Sequence, residues 1–266
     1  MILNIDWTII VFYNINMNSI DFNFLIDQDV CAYCLVFRYI TKNENADFFA
    51  DKHQQALNLY NKYKQFNFEI SQIKNNEFLQ EIKQSEVFNQ ALQTSYKYLN
   101  CIKEEWQKYK PIAQNYLAKT LNHNKQHLPV DVYVTNASAY STKNFIVFGL
   151  SQTTYVKGFS FAYLFHEWLH QLENQIFKNT FRLTSEIDFC HAVVELCAER
   201  NISKTFGFSE IYFPSHKGLE QHRQCIYPYF KQMLLSGDFT LEDFFVWTSN
   251  NALKLKQEMK NNNIEK

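Results

Sequence analysis

Apolar positions at three- and four-residue steps run through most of the chain and predict helices. Phe78, Ile82, Phe88, Leu92, Tyr96 and Leu99 keep that spacing, as do Ala56, Leu57 and Tyr60. Glycine does not occur before Gly149, and up to that point proline stands only at 111 and 129. The front half is therefore expected to be mostly helix, after an N-terminal strand or hairpin that includes Trp7–Tyr13. Pro111 lacks an amide proton and is expected to interrupt the helix Ile102–Leu121. The period then shortens. Leu128–Thr135 alternates and Asn144–Leu150 is a continuous apolar run, so both read as strands. Two helices follow, and beyond Gly207, Pro214 and Gly218 come Leu219–Leu234 and Leu241–Gln257, the first broken or kinked at Pro228. The pattern predicts an α+β protein, mainly helical with a small mixed sheet. Residues 1–125 form a strand or hairpin and a helical region, and 126–266 a second region, the two compatible with one continuous domain.

Within the apolar run Phe161–Leu172 stand His166, Glu167, Trp168, Leu169 and His170. Residues four apart share a helix face, so His166 and His170 direct their imidazoles to one point. Two neutral imidazoles there make half of a zinc site, and Glu167 can serve as base toward an activated water without being a ligand. An apolar surround strengthens such a site. Ser160 is a candidate helix cap.

A third ligand must come from elsewhere, because Gln171–Ile176 lacks the glycine and histidine that extend the motif in metzincins. The next helix begins near Ser185 and Asp188, a near capping box. Asp188, His191, Glu195 and Glu199 then fall along one face, flanked by Val193, Val194, Leu196 and Cys197. Carboxylates buried in such a seam call for a cation. Glu195 is the expected third ligand and Glu199 its outer support, accepting a hydrogen bond from a ligand histidine. His191 is the rival third ligand and would give a three-histidine site.

His166-Glu167-x-x-His170 followed by Glu195-x-x-Ala198-Glu199 resembles the gluzincin zinc metallopeptidases, above all the branch with Glu-x-x-Ala-Asp as second motif, such as the minimal gluzincins. Glu199 stands where that branch usually has Asp. Asn136-Ala137-Ser138-Ala139 is similar to the Asn-Ala-x-Ala of the family's edge strand. The resemblance spans about Pro129–Lys204. It implies a zincin-type active-site cleft lined by that strand, with Asn136 and Ala137 binding the substrate main chain. It also implies one Zn2+ per chain, Glu167 as general base, and a peptide or protein substrate. Tyr212, His216 and His222 lie where the family often places its oxyanion donor. The alternative expectation is a catalytically inactive zinc-binding scaffold or interaction protein of the same fold.

Composition narrows the remaining classes. The 266 residues, 46% hydrophobic and 17% aromatic, support a sizeable core. A net charge of −1 offers no electrostatic case for nucleic acid. No segment reaches the roughly eighteen consecutive apolar residues of a membrane span. The first 37 residues hold no Lys or Arg, which argues against a secretory signal and for a cytoplasmic protein. The six cysteines are then free thiols. Cys190 and Cys197 are about 10 Å apart along their helix and cannot bridge. Cys31 and Cys34 read as a small buried pair.

Overall fold

The computed structural model describes residues 20–35, 58, 62, 77–125, 127–135, 140–141, 145–149, 159–178, 180–206 and 217–264. A four-stranded mixed sheet is covered by helices. Strand β1 (Phe22–Leu25) runs parallel to β2 (Val130–Thr135), and β2 parallel to β4 (Phe145–Gly149). The short β3 (Tyr140–Ser141) pairs antiparallel with β4, giving the order β1-β2-β4-β3. Phe22 and Phe24 bury their side chains while Asn23 and Leu25 face outward, the alternation of a sheet with one packed face. The expected strand Trp7–Tyr13 and the helical stretch about Ala56–Tyr60 lie outside the described residues, apart from isolated positions. Both later strands fall within their expected spans.

Helix α1 (Gln28–Tyr33) starts at Asp27, whose carboxylate accepts from the Asp29 and Val30 amides, and it buries Cys31. Helix α2 (Glu77–Gln84) turns at Ser85 into α3 (Glu86–Lys119). The expected interruption at Pro111 does not occur: α3 is one helix of 34 residues with Pro111 inside it. The reason is the stripe on either side. Tyr98, Ile102, Trp106, Tyr109, Ala113, Tyr116 and Leu117 are all buried, and Trp106 alone packs against Phe22 at 4.7 Å. Burying that stripe, at roughly 1.5–3 kcal/mol per large side chain, outweighs the ~3 kcal/mol that an interior proline costs. Pro111 itself faces solvent, where water can satisfy the carbonyl it orphans. Tyr96, expected in the core, is exposed, and Tyr98 holds the core position instead.

Two helices follow the sheet: α4 (Phe159–Ile176) and α5 (Thr184–Phe206). Each starts one residue before its expected cap, so Ser160 and Ser185 lie inside the first turn; at α5 the Glu186 carboxylate accepts from the Leu183 amide instead. Helix α6 (Glu220–Tyr229) continues as a π-helical turn, Phe230–Leu234. The helix runs through Pro228 without a break, and the wider turn begins two residues later. Helices α7 (Leu241–Asn250) and α8 (Ala252–Ile264) complete the fold, α7 opening with a capping box between Thr240 and Asp243. One buried cluster runs from Ile20 through α3, the sheet, α4 and α5 to Leu255, so residues before and after position 125 share a core. Among the described residues no helix is long and apolar enough to cross a membrane.

Candidate metal centre

Helix α4 is apolar on most of its surface, and this buries the motif. Leu164, Phe165, Trp168 and Leu169 are at most 2% exposed, and His166 and Glu167 are buried among them. The Nε2 atoms of His166 and His170 lie 3.1 Å apart. Two nitrogens bound to one tetrahedral zinc at 2.0–2.1 Å would stand about 3.3 Å apart, so the pair is already spaced for a shared cation.

Ring orientation supports the same reading. Nδ1 of His170 lies 3.3 Å from Oε2 of Glu173, and Oε1 of Glu173 accepts from Arg182 at 2.6 Å. Burial acts to raise the Glu173 pKa, but the contacts with His170 and Arg182 outweigh it and the net shift is downward. An ionised Glu173 can only accept, so it draws the imidazole proton to Nδ1 and leaves the Nε2 lone pair facing His166.

The third donor comes from α5. The His191 ring centroid is 4.5 Å from that of His170 and 6.0 Å from that of His166, and one donor atom from each of the three lies within 4.8 Å of the others. Glu195, the expected third ligand, is fully buried and sits one side chain behind this group. Its Oε1 is 3.9 Å from Nε2 of His191, and Oε2 is engaged by the Arg223 guanidinium, which also binds Glu220. The side chain of α5 that groups with the α4 pair is His191, while the Glu195 carboxylate is ion-paired with Arg223 from α6.

The proposed base is held as well. The Tyr163 hydroxyl bonds Glu167, and burial together with that carboxylate pushes the Tyr163 pKa well above its ordinary value, keeping it a donor. The Tyr163 ring lies 5.2 Å from Phe148 on β4, so Glu167 sits on the side of α4 that turns toward the sheet. His166 is closed off, whereas the side chains of His170 and His191 keep 19% and 26% exposure. The group is walled behind and open in front.

Several expected residues cannot be placed. Asn136, Ala137, Tyr212, His216 and the Glu199 side chain lie outside those described. His222 packs its ring 4.7 Å from Phe189 and does not belong to the three-donor group. Glu173, Arg182 and Arg223 escaped the sequence reading. Glu173 had a usable signal, three residues after His170 on the same face; the arginines had none. Compared with protein-family models, with curated proteins and with solved structures, the chain matches none.

Proposed function

We propose that the chain is a zinc-dependent hydrolase of peptide bonds. The observation that carries this reading is the convergence of His166, His170 and His191, with Glu167 next to His166 along the same helix. Three imidazoles are a donor set that suits Zn2+ and leaves a coordination position open. Zinc held there supplies Lewis acidity toward a substrate carbonyl and lowers the pKa of water toward neutrality. Glu173 fixes the His170 ring, and Tyr163 fixes the Glu167 carboxylate. Glu167 takes a proton from the attacking water and passes it to the leaving amine. The partly exposed edges of His170 and His191 give substrate its approach.

Peptide as substrate class rests on the likeness to gluzincins. It is supported by β3, which forms the end of the sheet beside β4 and packs against α4. An extended peptide added to that edge would lie beside α4, which makes the region a candidate zincin-type cleft. Five of the six cysteines are at least partly buried, and none of the six is bridged, as suits a cytoplasmic protein.

Full-length protein purified without chelator is expected to retain zinc that His170→Ala loses, and to hydrolyse members of a mixed peptide library. Zinc lost in His191→Ala but kept in Glu195→Gln would confirm the three-histidine set; the reverse would restore Glu195 as ligand. Zinc without turnover would identify the scaffold alternative, and wild type that leaves zinc bound to a competing chelator would overturn the reading.

A further inference from the structure

His123 and His127 stand between α3 and β2 with the same four-residue spacing as the pair on α4. Asn122 takes a left-handed conformation at φ 47°, which asparagine tolerates, and the His123 amide reaches back to the Leu117 carbonyl at 2.9 Å. The backbone thereby turns His123 inward, where it is 1% exposed. Its Nδ1 lies 3.0 Å from Oε2 of Glu242, in the first turn of α7. Nδ1 of His127 lies 3.2 Å from Oε1 of Gln175 on α4. An oxygen acceptor at each Nδ1 draws the proton there and leaves a lone pair on each Nε2.

Those two Nε2 atoms face one another at 3.0 Å. The rings are nearly parallel, and the Trp168 ring stands edge-on to both at 5.6 Å. At that distance the two Nε2 atoms are near enough to share one cation. The spacing again approaches the roughly 3.3 Å of two nitrogens on one zinc.

We propose that His123 and His127 bind a second divalent cation of the zinc class through their Nε2 atoms, with Glu242 and Gln175 fixing the two rings. Waters complete the coordination on the side where His127 is half exposed. Trp168 lies two residues from His166 and from His170, about 200° around the helix, so this pair lies across α4 from the first. Glu242 is shared between His123 and Lys125, which leaves no carboxylate among the described residues placed as a base. The second ion is structural: it ties the segment after α3 to α4 and α7.

The test is a Zn2+ titration of chelator-stripped full-length protein against a chromophoric competitor, with Trp fluorescence recorded during a parallel Co2+ titration. Wild type should bind two equivalents. His127→Gln, chosen because His127 is only partly buried, should bind one, and the part of the Trp quenching that accompanies the second Co2+ equivalent should be lost. Glu242→Gln should weaken the same equivalent by about ten- to a hundredfold. Circular dichroism of each variant verifies the fold. Zinc capacity and quenching that His127→Gln leaves unchanged would overturn the proposal and identify a hydrogen-bonded pair with one Nε2–H. The two readings separate cleanly: one equivalent lost only in His170→Ala supports the α4–α5 centre alone, and one lost only in His127→Gln supports this site alone.

Discussion

Two histidine pairs lie on opposite sides of one helix with nearly the same Nε2–Nε2 separation, 3.1 and 3.0 Å, and they differ in ring orientation and in the groups around them. Around His166 and His170 stand a third imidazole, a carboxylate that orients a ring and a second carboxylate held ready by Tyr163. Around His123 and His127 the Glu242 carboxylate is shared between ring orientation and Lys125. Among the described residues, a carboxylate beyond the one that orients a ring accompanies the first pair, and the proposed chemistry rests on it. The neighbouring charges differ in the same sense: Glu195–Arg223 and Glu173–Arg182 are buried, whereas the Lys125 side chain is 69% exposed.

That contrast can be broken most sharply at its ion pairs. Arg223→Ala strands the Glu195 carboxylate in the core and is expected to destabilise the protein by about 3–5 kcal/mol. Lys125→Ala, at the other pair, should cost less than about 1 kcal/mol. Urea denaturation of the two variants measures both, and similar costs would mean the two environments are not electrostatically distinct.

Glu167→Gln asks whether the first pair alone has a spare base. Peptide hydrolysis should fall by a factor on the order of hundreds or more while zinc stoichiometry stays at the wild-type value. Undiminished turnover would remove Glu167 from the mechanism. Glu173→Gln tests ring orientation at that pair and should weaken zinc there by about ten- to a hundredfold, read by chelator competition, with the His127 equivalent untouched.

The smallest expected effect lies away from both pairs and serves as their control. Asp21 accepts from Lys110 at 2.6 Å and from Trp106 at 3.1 Å, tying β1 to α3. Burial acts to raise its pKa, but these contacts outweigh it and hold it below the ordinary 3.8. A carboxylate depressed on folding contributes stability that is present above its unfolded pKa and lost as pH falls through the folded one. The Asp21 contribution should therefore be intact near neutrality and decline progressively as pH falls below about 3.8. Asp21→Asn should flatten that acid limb in denaturation curves at several pH values, without changing metal content.

How much was legible in advance depended on the range of the interaction that decides each feature. Periodicity located β2, β4 and the helices of both halves, because alternation and helical spacing are properties of neighbouring residues. It failed at Pro111 and Tyr96, where packing against Phe22 and the rest of the core set the outcome. At the candidate metal centre, the four-residue step brings His166 and His170 together on any helix, so the proximity of that pair followed from the sequence. The second helix offered His191 and Glu195 a turn apart with nothing local to choose between them. Arg223, 28 residues beyond Glu195, pairs with that carboxylate, and this is the observation on which the proposed three-histidine set rests. The His123–His127 pair repeats the spacing but lies outside any helix, and it acquires shape only from Glu242 and Gln175, 119 and 48 residues away. Local spacing fixed which histidines can act as pairs. Which carboxylates remain free to act with them was decided by the fold, because charge compensation in a core depends on distance in space.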